Sequence, residues 1–414
     1  MRACTEVPVD IDPIRPGAAG HRSLDRIVIP AVTGAAAIDL GLAPALLVGR
    51  VARAMRAAPD VPNAAELVST AGKLFAETTV DSLSPADYTR LHADLTGVPV
   101  HAARRALRVL GEFTPPAARP TGPDTRRVPR GRLLAVLAPG NHPLPHVEWL
   151  IAVALGYRVL VRPSTRDPLT PARLVRALHL AGLPETHAVL LPTTHDTADR
   201  LVTAADLALI YGDDDTVARH RDSRTVKVYG PGRAKILVGP DWESRLDLLV
   251  DSVSADGGVQ CLNTTTILVD ADPDDLADAL AARLRALPRA DLPRLPLAEA
   301  RWHAARLGAE VCTDLGDGSA VLHPTVLREG DPTEVPFPCV WVRRWDGTVE
   351  SLRDTLVLGL CLDDPDLVDR CAREPSIRNV HVDRPTTAFH PILPHDGELA
   401  DFLLETKTVL GQGR

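Results

Sequence analysis

Aromatic side chains are scarce. They make up 3% of the 414 residues, too few for the stacking platforms on which proteins hold single-stranded nucleic acid. An excess of positive charge is also missing: the formal net charge is -8, so no global basic field draws in a polyanion. A nucleic-acid partner is therefore not expected. Metal-ligand patterns are lacking too. None of the six cysteines (Cys4, Cys261, Cys312, Cys339, Cys361, Cys371) stands in a CxxC pair or at a Cys/His ligand spacing, so no metal site is expected. An even cysteine count suggests a disulfide framework only in a short secreted chain. The opening MRACTEVPVDIDPIRPG has no basic stretch followed by an apolar core, so no secretory signal is expected and a cytoplasmic location is. One apolar run, Ile29 to Gly49, is long enough to raise the question of a membrane span. Asp39, Pro44 and several glycines interrupt it. Its alanine-rich texture reads instead as a pair of buried helices.

What is present is ordinary for a globular protein with a sizeable core: 45% hydrophobic and 24% charged residues. At roughly 150 residues per domain the length allows about two or three domains. Residues 35–112 read as amphipathic helices, with ADYTRLHADL and HAARRALRVLGEF the clearest. Thr114 to Gly131 (TPPAARPTGPDTRRVPRG) is proline-rich and basic, and cannot be a helix; it reads as a linker or as an arm lying on a partner subunit. From Leu133 the texture changes. RLLAVLAPG, YRVLVRPS, AVLLPT, LALIYG and KILVG are short apolar runs ending in turns, with helical stretches between several of them. Strands alternating with helices imply βαβ units and a mainly parallel sheet. After Gly239 the pattern restarts, with helices expected at 243–254 and 273–287, a strand TTTILV between them, and later strands VWVRRW and VHVD. The expectation is an α/β chain in two Rossmann-like halves: 1–238 with the N-terminal helices and the arm 114–131, 239–395 carrying Cys261, and a C-terminal segment 396–414 that returns to the first half or to a partner.

Four turns and one longer segment follow in order. LAPGNHPLP places Asn141 after a strand, VLVRPSTRDPLTP places Arg162 and Ser164 after the next, LALIYGDDD places Gly212 after another, and GGVQC supplies Cys261. HPTVLREGDPTEVPFPCVWV, with Glu334, closes the set. By itself Cys261 reads first as a packed thiol beside a glycine turn and only second as a nucleophile, with metal and disulfide roles unsupported by any spacing. Taken together and in this order, the stretches resemble the aldehyde dehydrogenase superfamily. There a PWNFP-like turn, a KPSE-like turn, a TGS turn, a GQxC nucleophile and a PTV…E-x-FGPV segment follow one another. The resemblance runs from about Leu133 to LLETKTVL near the C-terminus; residues 1–110 match only as generally helical.

The resemblance implies that Cys261 attacks an aldehyde or acyl carbon and that Asn141 holds the oxyanion. It implies NADPH or NADH near Arg162, Ser164, Gly212 and Glu334. A guanidinium at Arg162, where the family has lysine, suits a 2′-phosphate and so NADPH. Asp213 to Asp215 replace small residues, and Asp213 or Asp214 reads as a helix cap. His142 and His146 in HPLPH are read as turn or cavity residues. In VKVYGPGRAKILV, Tyr229 stands where hydrolytic relatives carry the glutamate that activates water, and no carboxylate lies between Lys227 and Val238. That departure, with YGDDDTV and VYGPGRAK, is similar to the long-chain acyl-CoA reductases of the LuxC type. It implies an acyl-thioester reductase fed by acyl-CoA or an acyl carrier protein, with coenzyme A as acyl carrier. The alternatives are NAD(P)+-dependent aldehyde oxidation, with His142 or Glu148 as base, and a silent scaffold. A homodimer or larger homo-oligomer is a further expectation from the resemblance.

Overall fold

Strands covered on both faces need not alternate polar with apolar residues. In the computed structural model, which describes residues 8–18, 20–116, 122, 124–308 and 312–410, the apolar runs after residue 132 become two parallel sheets. Cys4 and the middle of the proline-rich segment (117–121 and 123) lie outside the described residues. The first sheet contains β1 (Leu133–Leu137), β2 (Arg158–Arg162), β3 (Ala188–Leu190), β4 (Leu207–Tyr211) and β5 (Val226–Tyr229), in the order β3-β2-β1-β4-β5. Every pair in it is parallel. The second contains β6 (Ala234–Val238), β7 (Thr264–Val269), β8 (Thr325–Leu327), β9 (Cys339–Arg344), β10 (Leu358–Cys361) and β11 (Val380–Val382), in the order β8-β9-β7-β6-β10-β11. It too is parallel throughout. The fold is the expected aldehyde dehydrogenase-like α/β arrangement of two Rossmann-like halves. In the first sheet the chain runs outward in both directions from the β1/β4 pair, and ligands on such sheets sit at the strand ends beside that switch point.

Three sequence expectations change. The run from Ile29 is not a helix pair: Arg26–Pro30 and Ala36–Gly41 are strands, and only Ala45–Ala57 is helical. Ile38 and Leu40 are buried on one face of the hairpin while Asp39 meets Arg26 at 2.7 Å on the other. That is a period of two, which the alanine-rich composition masked. The second change is at the boundary between halves. KILVG belongs to the second sheet as β6, so the crossover falls in the turn between Tyr229 and Ala234 rather than at 238. Central strands of either sheet have the same apolar texture, and only pairing tells them apart. Third, the proline-rich segment contributes a strand: Thr125–Pro129 pairs antiparallel with Leu404–Thr408.

The helices Ala64–Glu77, Pro85–Thr96 and Val100–Gly111 follow the expected pattern. Ser84 caps the second of these by accepting from the Asp87 amide, with Pro85 at its first position. The C-terminal helix Leu399–Leu403 buries Leu399 and Leu403 against the first half, and the Tyr157 hydroxyl donates to the Leu403 carbonyl at 2.5 Å. Among the described residues no helix is long and apolar enough to cross a membrane.

Candidate active site

A cavity of about 720 Å³ opens where the C-terminal ends of the first sheet meet the second half. The turn after β1 brings Gly140 and Asn141 to it, the turn after β2 brings Ser164, and the turn after β4 brings Gly212. From the other side come Cys261, just ahead of β7, then Glu334 and His395. Of the six residues expected from sequence, five line this cavity. Arg162, at the end of β2, is not among its lining residues; it is buried, and its Nε has no partner among the described residues.

Asn141 is fixed by donating from Nδ2 to the Val259 carbonyl at 3.0 Å, two residues before the thiol. A second tie joins the same two turns. Asp256, with φ of 52°, accepts from His142 Nε2 at 3.0 Å, from Gln260 Nε2 at 2.8 Å and from Arg105 Nε at 3.1 Å. The Leu144 amide donates to His142 Nδ1 at 3.2 Å. The proton of this buried imidazole is therefore on Nε2, facing Asp256, and burial holds the ring below its usual pKa. Burial opposes ionisation of Asp256, but its partners outweigh it and hold the carboxyl down at about 2. His142 is thus committed to Asp256. Arg105 and Asp256 had no local motif to mark them.

The electrostatics at Cys261 disfavour a resting thiolate. Burial, then the Glu334 charge, pushes the thiol up to about 12. Glu334 accepts from the amides of Gly232 and Arg233 at 2.6 and 2.8 Å, so it clamps the turn between the two halves. The polar neighbour of the sulfur is His395, whose Nε2 lies 3.7 Å from Sγ, within hydrogen-bond range for sulfur. Its flanking sequence, HPILPHDGE, has no motif beyond the histidine itself.

At the place of the missing glutamate, Tyr229 donates its hydroxyl to Glu148 Oε2 at 3.0 Å. Its ring stacks on Tyr211 with centroids 4.7 Å apart. Burial raises Glu148 to about 7. The carboxylate absent from the strand end is supplied from the helix Val147–Ala154, behind a tyrosine. Two of the three aspartates after Gly212 are engaged: Asp213 caps the helix Asp214–His220 by accepting from the Thr216 amide at 3.0 Å, and Asp214 pairs with Arg233. Among the described residues no group of three or more His, Cys, Asp or Glu is placed to hold a metal ion.

These features define a two-domain α/β protein with a buried thiol in the crevice between its halves. The aldehyde dehydrogenase family profile matches residues 47–296, more than half of the chain, and the protein belongs to that family. Cys261, Asn141, Arg162, Ser164 and Gly212 fall inside the matched range; Glu334 and His395 fall beyond it. Over 242 residues the chain is 26% identical to the acylating mitochondrial methylmalonate-semialdehyde dehydrogenase of Arabidopsis thaliana, covering 54% of this chain and 39% of that one. Over 186 residues it is 30% identical to aspartate-semialdehyde dehydrogenase 1 of Pseudomonas canavaninivorans, covering 41% and 39%. The matched stretch thus spans about two fifths of these relatives' length. Two solved structures resemble the whole fold. γ-Glutamyl-γ-aminobutyraldehyde dehydrogenase from Burkholderia cenocepacia J2315 has a TM-score of 0.77 at 15% identity, covering 97% of both chains. The glyceraldehyde-3-phosphate dehydrogenase GapN from Methanocaldococcus jannaschii, complexed with NADP, has a TM-score of 0.76 at 16% identity, covering 94% of this chain and 99% of that one. At such identity the likeness is one of fold.

Proposed function

We propose that the protein oxidises an aldehyde through an acyl-enzyme on Cys261, with a nicotinamide dinucleotide as redox partner. The observation that carries this reading is the placement of the Cys261 thiol in one cavity with Asn141 and with the strand-end turns at Ser164 and Gly212. In the reaction the sulfur bonds to the carbonyl carbon and negative charge develops on the carbonyl oxygen. The Asn141 amide spends one N–H on Val259 and has a second for that oxygen. Removing one such donor costs about 2.7–4 kcal/mol of barrier, or about 10²–10³ in rate. Asn141→Ala is therefore expected to lower kcat by that factor with a smaller effect on KM; an unchanged kcat rejects the role.

The residues fit a dinucleotide. A Cβ at Gly140 would stand 2.3 Å from the Ser164 hydroxyl, so the two turns are closed on each other with room only for backbone. Of the carboxylates beside Gly212, Asp213 is turned to the Thr216 amide and Asp214 is paired with Arg233. Ser164, Gly212 and Glu334 would hold the dinucleotide, and when bound it would supply the hydride acceptor. Arg162 lies buried outside the cavity lining with an unpaired Nε, and a preference for NADP(H) over NAD(H) would need that guanidinium to reach the 2′-phosphate. Arg162→Gln is expected to weaken NADP+ binding by about tenfold to a hundredfold, as for loss of a charge-assisted hydrogen bond, while leaving NAD+ unchanged. Equal weakening of both, measured by calorimetry, defeats the preference.

A second reading has its own support: acyl transfer to a thiol, in either direction, with coenzyme A or a carrier protein as partner. Tyr229 stands where a water-activating carboxylate is expected, and the Arabidopsis relative is named as acylating. Product analysis with an aldehyde panel and NADP+, with and without coenzyme A, separates the two. Free acid without coenzyme A supports hydrolytic oxidation; acyl-CoA formed only when coenzyme A is present supports thioester exchange. Self-association is also proposed, through the two-stranded ribbon of Thr125–Pro129 and Leu404–Thr408, and a monomeric mass by light scattering would rule it out.

A further inference from the structure

Of the groups that could act as a base, Glu334 in the cavity is tied to two backbone amides, while His142 and Glu148, outside its lining, are bound to Asp256 and to Tyr229. A protonated thiol among these groups is a poor nucleophile, because the thiolate is the attacking species. His395 is the exception, and it is held in place from several elements. Asn379 donates to its backbone carbonyl, Phe389 meets its ring edge to face with centroids 5.9 Å apart, and the neighbouring Asp396 is clasped by Lys227 and Arg378. A surface histidine has no need of so many supports.

Building on the reading of Cys261 as nucleophile, we infer that His395 is a catalytic residue: its Nε2 takes the Cys261 proton as the sulfur attacks and returns a proton to the sulfur when the acyl group leaves. In the first half the S–H bond breaks, the S–C bond forms, the proton moves to Nε2 and the carbonyl oxygen becomes an oxyanion. A dinucleotide held at Ser164, Gly212 and Glu334 would supply the hydride acceptor that converts this adduct to a thioester on Cys261, and the cation on His395 loses its proton to solvent. In the second half water, or an acceptor thiol, gives its proton to His395 as it attacks the thioester. The C–S bond breaks and the sulfur regains that proton. The net change is an aldehyde oxidised to an acid or a thioester, one dinucleotide reduced and one proton released.

The groups facing the pair support a neutral resting state. Burial lowers His395 to about 4, and the Asp396 charge opposes this in part. Burial and Glu334 hold Cys261 near 12. Between those values the thiol and the imidazole are both uncharged, so proton transfer accompanies attack and the rate through this pair does not depend on pH. Lys227 faces the imidazole from the end of the first sheet, but it is paired to Asp396.

A chromogenic ester such as p-nitrophenyl acetate tests this without any dinucleotide, because nitrophenolate release reports acylation of the thiol directly. Cys261→Ala must abolish the burst; a burst that survives removes the reading of Cys261 as nucleophile, and the role of His395 as its base falls with it. With that control met, His395→Gln is expected to slow the burst by about 10²–10⁴, the usual worth of positioned acid–base catalysis. Its rate should also climb about tenfold per pH unit over the range where the wild type is flat, since it then depends on rare thiolate. A Gln variant with a wild-type burst, or with a wild-type pH profile, overturns the assignment. The unaltered protein supplies a second readout that needs no variant. Alkylation of Cys261 by iodoacetamide should be level between about pH 6 and pH 9, and a rate rising tenfold per unit across that interval overturns the proposal equally.

Discussion

At the scale of single residues, the contacts that shape the site join groups far apart in sequence. Cys261 and His395 are 134 positions apart, and His142 and Asp256 are 114 apart. Asp256 has a measurable consequence for stability. Its pKa is depressed from 3.8 to about 2, so its contribution is present above the unfolded value and is lost as pH falls through the folded one. The shift corresponds to about 2 kcal/mol. Neutral, buried His142 acts in the same direction, since the unfolded chain binds its proton more readily once pH falls below about 6.5. Unfolding free energy measured by denaturant titration should therefore decline from about pH 6.5 downward, and Asp256→Asn should flatten the part below pH 5. Glu148 has the opposite sign. Its pKa is raised to about 7, so its contribution is complete below the unfolded value and is lost as pH rises through 7. Glu148→Gln is expected to be more stable than the wild type above pH 7, by about 1–3 kcal/mol. A variant equally or less stable at pH 9 contradicts that.

At the scale of elements, the turn between β5 and β6 carries the chain from one half to the other and also supports the nucleophile. A Cβ at Gly232 would lie 1.9 Å from the Cys261 carbonyl oxygen, and the Gly232 amide is one of the two that Glu334 holds. Gly232→Ala is expected to cost about 1–3 kcal/mol through overpacking and to shift Cys261, lowering its alkylation rate. Unchanged alkylation and stability together would show that the turn relaxes freely. At this scale the sequence was legible wherever an apolar run ended in a turn. Asn141, Ser164, Gly212 and Cys261, which line one cavity, could be singled out because each follows or precedes a strand with a local signature. The hairpin Arg26–Gly41 was missed because its period-two burial lies within an alanine-rich stretch that favours a helix by composition. β6 was assigned to the wrong half because pairing partners leave no mark on a strand's own residues.

At the scale of the molecule, the C-terminal segment packs on the first half. Leu403 is fully buried against the first half, while Thr125–Pro129 and Leu404–Thr408 form the ribbon beside it. The loop that carries His395 is thereby anchored on its far side. Leu403→Ala should lower stability by about 2–5 kcal/mol, as for other buried leucines, and by loosening that anchor should also reduce the acylation burst. A loss of stability with an undiminished burst would mean the loop is held from the second half alone, through Asn379, Lys227 and Arg378.

The sequence by itself determined the alternation of strands and helices and the two-part α/β plan, and it singled out a thiol and an amide that line one cavity. These follow from hydrophobic period and turn chemistry, which act over a few neighbouring residues. Only the tertiary structure decided which strands pair, what ionisation state the thiol keeps, and which base stands beside it. Pairing, desolvation and hydrogen bonding depend on distance in space, and β6, Cys261 and His395 acquire those neighbours only once the chain has folded.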